Sequence, residues 1–352
     1  MDIIQHTNKT TWDHIVKSFE DYDVYYLNGY VEGFRLHGDG TPLLLYYKTD
    51  SLRGICVLMV RDISDAEFFE EIEPNTLYDA VTPYGYGGFI IEGDKTQENI
   101  QLLYNSYIDV LKSKKILSVF YRFHPILNNA REFDGVTSII DLGRTIHINL
   151  TTEEQIWKDF DSKNRTHIRR AKKNNVTIEH GKGVELIDQF IEIYNQTMDG
   201  DNADDYYYFS KEFYHSVIND LSKNHEVFYA LKDGEIISIA IMLYANKKMH
   251  YHLSGSKYEY RNLSPTSLLL YEAACWGVKQ GFKTFHLGGG VGSGEDSLFK
   301  FKKAFNKHSS NQFSIGYDIV DQEAYDKLIE IRKQKDASFN PNSSFFPTYR
   351  AK

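Results

Sequence analysis

Residues 264–290 read SPTSLLLYEAACWGVKQGFKTFHLGGG, and this stretch decides the fold. Ser264 is a plausible helix N-cap, Pro265 suits the first helical position, and Gly281 closes the helix. The helix is apolar almost all round, so we expect it to be buried. Residues 283–287 then predict a strand that leads into three glycines. A buried helix followed directly by a strand indicates a mixed α/β fold.

The elements around this stretch occur a second time in the first half of the chain. Residues 226–244 predict two strands joined by a Lys-Asp-Gly turn, and residues 249–253 predict a third strand. The first half predicts the same series: strands over 43–48, 55–61 and about 87–91, a helix over 97–112, and a strand over 117–123. The two series lie about 180 residues apart, which favours a duplicated domain over a chance likeness.

This repeat predicts two domains, 1–145 and 146–319, with a C-terminal helix from about 320 to 352 that packs back on the first. Thr152 and Gln155 predict a capping box at the start of a helix between the repeats. A further helix is predicted from about Val184 to Met198. Because no low-complexity linker separates the halves, we expect the domains to pack together.

Composition narrows the class of protein. The 352 residues are 41% hydrophobic, and the net charge of −9 argues against extensive nucleic-acid wrapping. The longest apolar run is far below the roughly 20 residues of a membrane span, and the N-terminal residues do not resemble a signal peptide. The two cysteines, Cys56 and Cys275, form no CxxC motif. We therefore expect a cytoplasmic protein without a structural disulfide.

The glycine loop after the strand, GGGVGSG at residues 288–294, does not match the known phosphate loops. Its spacing fails both the dinucleotide fingerprint and the P-loop, in which a lysine would stand where Glu295 does. Downstream, Leu298, Phe301 and Phe305 share one face of a predicted helix. Lys302 lies beside Phe301, so it is the lysine best placed to border the buried side and hold a positive charge near an oxyanion. A solvated amphipathic helix is the structural alternative.

Other candidate sites have weaker support. His250, His252 and His286 are a conceivable metal triad, but packed sheet histidines are commoner and we predict no metal. No GxSxG, HExxH or paired-acid motif occurs. Tyr84 and Tyr86, in the string TPYGYGGF, could line a polar ligand cleft.

Basic residues provide two further candidate sites. Arg122, in YRFHPILNN, is the candidate ligand residue of that string. Arg165 and Arg169 lie four apart and so share a helical face, where they could bind a phosphate. A solvated basic face is the equally good alternative for this pair.

Several strings, taken in order, resemble the Fem-type aminoacyltransferases of the GNAT superfamily. They run from residue 78 to residue 305: YDAVTPYGYGGF, FYRFHPILNN, NRTHIRRAKKNNV, YNQTMDGDNADDYYYF, YHLSGS, the opening 264–290 block, and SLFKFKKAF. The resemblance implies two tandem GNAT-like domains and acyl transfer to an amine. It also implies that Phe301 and Lys302 line the transfer centre, where the lysine would stabilise charge on the acyl carbonyl.

With this resemblance, we predict an acceptor site and a donor site. The acceptor site would use Tyr84, Tyr86, Arg122 and Tyr207. The donor or phosphate site would use Arg165, Arg169, Gly288, Gly289, Gly290 and Ser254. No tightly bound cofactor is expected, and an acyl-CoA or an aminoacyl-tRNA would be the co-substrate.

The chain also departs from the family pattern. Family members that build the peptidoglycan bridge usually carry an arginine after the Thr-Met pair, where this chain has Asp199, Gly200 and Asp201. The pyrophosphate loop of the CoA enzymes is missing from residues 254–267 as well. The prediction is an N-acyltransferase for a peptidoglycan intermediate or a nucleotide-linked amino sugar, with tRNA as a further partner. The alternatives are a non-catalytic nucleotide-sugar-binding protein and an RNA-binding accessory factor; DNA is not an expected partner.

Overall fold

The structure is a computed structural model and describes residues 1–351. The chain divides into two compact units. Unit 1 comprises residues 1–142 together with the C-terminal stretch from Phe313, and unit 2 comprises residues 143–312. The sequence prediction kept residues up to 319 in the second domain. The structure groups the stretch from Phe313 with unit 1, because its strand pairs with a strand of that unit.

The secondary structure follows a mixed α/β order. The strands are β1 (Asp2–Gln5), β2 (Thr41–Lys48), β3 (Leu52–Asp62), β4 (Tyr78–Val81), β5 (Phe89–Gly93), β6 (Ile116–Arg122), β7 (Ser138–Asn149), β8 (Thr177–Gly181), β9 (His225–Lys232), β10 (Glu235–Ala245), β11 (Lys248–Ser256), β12 (Thr284–Gly288) and β13 (Asn311–Ile319). The helices are α1 (Lys9–Lys17), α2 (Asn28–His37), α3 (Gln97–Ser113), α4 (Glu153–Asp159), α5 (Ser162–Lys173), α6 (Glu185–Gly200), α7 (Lys211–Asp220), α8 (Pro265–Lys279), α9 (Ser297–Lys303) and α10 (Gln322–Lys335).

Unit 1 contains strands in the order β1-β2-β3-β4-β6-β13, and β5 pairs with the other end of β3. The β4–β6 pairing is parallel, and the remaining pairings are antiparallel. The third strand of this repeat was predicted at about 87–91, and this prediction is wrong. The strand that lies between the hairpin and β6 is β4, and the strand near 87–91 is β5, an additional strand that pairs with β3.

Unit 2 contains strands in the order β7-β12-β11-β10-β9-β8, with β11 and β12 parallel and the other pairs antiparallel. Each unit therefore has a hairpin, a third strand, a helix, a fourth strand parallel to the third, and a closing antiparallel strand. The closing strands are β13 in unit 1 and β7 in unit 2. The predicted duplication of an α/β domain is confirmed.

The opening stretch folds as the sequence predicts, with one exception. α8 starts with Pro265 and buries nine of its residues, and Gly281 follows the helix at φ +79°. Ser264, in contrast, does not cap the helix with its side chain, because its backbone has a left-handed φ of 59°. Side-chain capping needs an extended N-cap residue, so this part of the prediction is wrong.

Two other local predictions need correction. Thr152 caps α4 by accepting from the Gln155 amide at 3.1 Å, but the Gln155 side chain bonds Asp159 instead of completing a capping box. On α9, Phe299 is buried while Leu298 is 38% exposed, so Phe299 takes the predicted place of Leu298 on the buried face, where Phe301 and Phe305 pack as predicted. Among residues 1–351, no helix is long and apolar enough to cross a bilayer.

Candidate functional site

The candidate site of unit 2 lies where two parallel strands separate. β11 and β12 pair over only three residues each, and the last pair joins His250 to His286. β11 continues to Ser256 and β12 to Gly288 without pairing to each other. Because the strands are parallel, their free carboxyl ends lie at the same edge of the sheet. We call the gap between residues 251–256 and residues 287–288 the strand opening.

A β-bulge lies at the start of this strand opening. Tyr251 pairs with Met242 and Leu253 pairs with Ile241, so His252 is the extra residue on β11. A bulge shifts the alternation of side chains along its strand. Tyr251 and Ser254 accordingly meet although they are three apart, and the Tyr251 hydroxyl donates to Ser254 Oγ at 2.6 Å.

The glycine loop follows the end of β12 and is organised by Asp296. The Asp296 carboxylate accepts from the backbone amides of Phe299 at 2.8 Å and Val291 at 3.2 Å, so it caps α9 and holds the loop together. A Cβ on Gly290 would overlap the Gly294 carbonyl oxygen and the Asp296 side chain. Position 290 therefore has no room for any residue except glycine.

Lys302 reaches back from α9 to this loop. Its Nζ donates to the Gly289 carbonyl oxygen at 2.7 Å. Burial lowers the pKa of Lys302 to about 8, an effect that the nearby Asp296 carboxylate partly opposes. The neighbouring Phe301 packs on the core of unit 2, with its ring centroid 5.3 Å from that of Phe305. A cation of this kind, poorly solvated and held at a strand end, can stabilise negative charge on a substrate oxygen.

The other predicted donor residues of unit 2 fall into two groups. The loop that Lys302 contacts begins with Gly288, Gly289 and Gly290. Ser254 lies on the β11 side of the strand opening. Arg165 and Arg169 lie on α5, beside Trp157. Arg165 donates to the Phe160 carbonyl at 2.6 Å, so it also closes the end of α4, and Arg169 stacks over the Trp157 ring at 5.2 Å.

Tyr207 lies in the short 3-10 turn Asp205–Tyr207 of the acidic segment after α6, and its ring contacts Tyr206. It is 37% exposed, so it is available to a ligand. The structure gives no contact between Tyr207 and the Lys302 loop.

Two predicted acceptor residues of unit 1, Tyr84 and Tyr86, lie in the loop after β4, and the third, Arg122, is the last residue of β6. After β4, the Gly87 amide donates to the Arg122 carbonyl at 2.7 Å, so the chain closes over the end of β6. The Arg122 side chain donates to the Gly85 carbonyl at 3.0 Å and stacks over Phe313. Tyr84 stacks on Phe34, and burial raises the pKa of Tyr86 to about 12. At the end of β6, which corresponds to β12 of unit 2, the backbone of unit 1 thus fills the space that is the strand opening in unit 2.

The three histidines do not form a metal cluster. His250 and His286 lie side by side with ring centroids 5.8 Å apart, and burial lowers the pKa of His252 to about 3. Within the described part of unit 2, no three side chains of histidine, cysteine, aspartate or glutamate bring ligand atoms within 4.8 Å of one another.

Sequence reasoning missed the role of Asp296 and the bulge on β11. Asp296 stands directly before the predicted α9, and aspartate before an apolar-periodic run is a known N-cap signal that could have identified it. The bulge at His252, with the contact between Tyr251 and Ser254 that it creates, has no comparable signal in the sequence.

Comparisons with known proteins agree with this geometry. The family model of the acetyltransferase (GNAT) domain matches residues 161–303, which span α5 to α9. Among solved structures, that of FemX aligns with a TM-score of 0.68 at 14% identity, covering 93% of this chain and 99% of FemX. No curated protein matches the sequence.

Two further solved structures have a related fold. The C-terminal domain of a putative lysylphosphatidylglycerol synthetase from Agrobacterium fabrum aligns with a TM-score of 0.54 at 13% identity, over 88% of this chain and 92% of that domain. L-PGS from Bacillus licheniformis aligns with a TM-score of 0.53 at 12% identity, over 85% and 90%.

These comparisons confirm the predicted class of protein. The chain is an acyltransferase, and part of unit 2 matches the acetyltransferase (GNAT) domain. Its tandem fold is similar to that of FemX, as the sequence resemblance implied.

Proposed function

We propose that this protein transfers an acyl or aminoacyl group from a thioester or ester donor to a primary amine of a cell-envelope precursor. The observation that carries the proposal is the poorly solvated Lys302 ammonium, held at the end of β12 where β11 and β12 separate. The FemX-like fold supports it as well, because FemX has this tandem arrangement over nearly the whole chain.

The strand opening is the proposed donor site. Residues 251–256 of β11 keep their pairing with β10 but have no β12 partner. Their backbone groups on the open side can therefore bind an extended donor arm in the manner of an added strand. Ser254 and the loop at Gly288–Gly290 lie on opposite sides of that arm.

Lys302 would act on the acyl carbonyl. An ammonium has three N–H donors, and Gly289 uses one of them, so two remain for the carbonyl oxygen of the donor. The acceptor amine attacks the carbonyl carbon, and the oxygen becomes negative in the tetrahedral intermediate, where Lys302 stabilises it. The carbon–sulfur or carbon–oxygen bond then breaks, and the amine loses a proton as the amide forms. No protein nucleophile is required, because positioning brings the two substrates together.

For the acceptor, we propose a peptidoglycan intermediate or a nucleotide-linked amino sugar. Tyr207 and the acidic segment around Asp199 and Asp201 would contact it, and Tyr84, Tyr86 and Arg122 remain proposed acceptor residues of unit 1. The carboxylates at 199 and 201 favour an acceptor that approaches with its ammonium group and disfavour contact with a diphosphate there.

For the donor, an aminoacyl-tRNA has one specific observation in its favour. α5 carries six lysines and arginines and no acidic residue, although the whole chain has a net charge of −9. If RNA binds this face, its affinity should fall steeply with salt, and Lys173→Glu on the exposed face should weaken it. An acyl-CoA donor predicts binding that is little affected by this variant.

The deciding experiment is a transfer assay with mass-spectrometric detection of the acylated acceptor, using panels of CoA thioesters and aminoacyl-tRNAs against amino sugars and muropeptide precursors. Lys302→Ala should lower the transfer rate about a hundredfold, as expected when one oxyanion-stabilising donor is lost. Lys300→Ala, on the exposed side of α9, is the matched control. Transfer at the wild-type rate in Lys302→Ala would refute the catalytic assignment.

A further inference from the structure

A pocket in unit 1 has a buried aspartate among its lining residues. Its volume is about 480 Å³, and it is lined by residues 135–138, which lead into β7, and by Tyr317, Asp318 and Ile319 of β13. Asp318 is only 8% exposed. No lysine or arginine lines the pocket, and none lies within 4.0 Å of the Asp318 carboxylate among residues 1–351.

Hydroxyl groups alone stabilise this carboxylate. Tyr104 and Thr137 donate to Asp318 Oδ1, and Tyr121 donates to Oδ2, each at 2.6 Å. Because the Tyr121 hydroxyl uses its hydrogen for Asp318, Tyr107 is the donor in the 2.7 Å hydrogen bond between the Tyr107 and Tyr121 hydroxyls. The charge of Asp318 raises the pKa of Tyr104, after the larger effect of burial.

The hydroxyl network does not neutralise the negative charge of Asp318, and it does not use all the lone pairs of the carboxylate. A carboxylate has about four lone-pair positions, and three are occupied, so Oδ2 can accept one further bond. A buried charge is stabilised much better by a cation than by neutral donors alone. The hydroxyl groups point their hydrogens at the carboxylate, so they do not form the shell of oxygen ligands that a divalent metal needs.

We propose that this pocket binds a primary ammonium group, as a ligand site of unit 1 separate from the Lys302 centre. The ammonium donates one hydrogen bond to Asp318 Oδ2 and neutralises its charge. The remaining N–H groups meet the backbone carbonyls of the lining residues, and the pocket volume accepts a short carbon chain or a sugar ring. The site does not depend on the proposed transferase function.

Titration calorimetry with n-propylammonium chloride tests the proposal at pH 7, with n-propanol as the neutral molecule of the same shape and NaCl to match the ionic strength. The wild-type protein should bind the ammonium and not the alcohol. Asp318→Asn, which keeps the size of the side chain, should weaken binding at least tenfold. Asp109→Asn, which removes an exposed charge from α3 in the same unit, should leave it unchanged.

A second variant keeps the test decisive if Asp318→Asn folds poorly. Ser138→Phe fills the pocket from its exposed rim without changing the hydroxyl network, and it should also weaken binding at least tenfold. The proposal is overturned if the wild-type protein does not bind propylammonium, if propanol binds equally well, or if Ser138→Phe binds as the wild type does.

Discussion

Replacing Lys302 with methionine should stabilise the protein while it abolishes transfer. The folded state lowers the pKa of this lysine from 10.5 to about 8, chiefly through burial. A shift of this size means that the charged form costs the folded protein about 3 kcal/mol at pH 7. Methionine removes this cost and loses the hydrogen bond to Gly289, which is worth about 1 kcal/mol. The free energy of unfolding should therefore rise by about 2 kcal/mol at pH 7.

The pH dependence of this effect is the sharper part of the prediction. Between pH 8 and 10.5 the unfolded chain binds a proton at Lys302 that the folded protein has lost, so the wild type gains stability as the pH rises. At pH 9.5 the cost is about 1 kcal/mol, and the advantage of the methionine variant should shrink almost to zero. Urea denaturation at the two pH values measures both differences. Lys300→Met controls for the loss of an α9 charge, and a Lys302→Met advantage that does not change with pH would refute the reasoning.

Three further perturbations follow from the packing. Tyr214→Phe should raise the free energy of unfolding by about 1 kcal/mol, because the buried Tyr214 hydroxyl has no hydrogen-bond partner within the described residues. Arg350→Ala should lower it by about 3 kcal/mol, because Arg350 Nε lies 2.5 Å from the fully buried Asp79 carboxylate, which would keep only Arg61 as an ion-pair partner. Gly290→Ala should cause at least a tenfold loss of transfer activity with little change in unfolding temperature, because its methyl group displaces the Lys302 loop.

Each of these three has a control substitution of the same chemical kind. Tyr107→Phe breaks the hydroxyl chain to Tyr121 and should destabilise, in contrast to Tyr214→Phe. Lys333→Ala removes an exposed ion pair from α10 and should change stability by about 0.5 kcal/mol or less. Gly294→Ala places its methyl group at an ordinary contact distance of 3.5 Å from the Val291 carbonyl oxygen and should retain activity. Thermal unfolding and the transfer assay measure these outcomes, and equal effects in a variant and its control would contradict the prediction.

The sequence predicted the repeated elements well where the signal is local. α8 has a proline at its start, a glycine after its end and an apolar surface all round, and each of these acts within a few residues. β4 was missed because its short string YDAV contains Asp79, whose burial is stabilised by ion pairs with Arg61 and Arg350 and by the Tyr349 hydroxyl. These partners come from distant parts of the chain, so no window around β4 could reveal that the strand is internal.

The candidate site likewise has a part that local sequence signals predict and a part that depends on contacts between distant residues. Lys302 could be predicted because its position next to Phe301 placed it at the border of an apolar face. Its hydrogen bond to Gly289 depends on the loop that Asp296 holds, and the separation of β11 from β12 depends on pairing between distant strands. The role of Arg165 at the end of α4 likewise requires the contact between two helices.

The return of β13 to unit 1 has a consequence for the order in which the protein is made on the ribosome. Unit 2 is complete once residue 312 has emerged, whereas unit 1 needs the stretch from Phe313 onward. Until then β6 lacks its antiparallel neighbour and Asp79 lacks Arg350, so the nascent first half has an open strand edge and an incompletely neutralised carboxylate. The unit that contains Lys302 can thus finish folding before the unit that begins the chain.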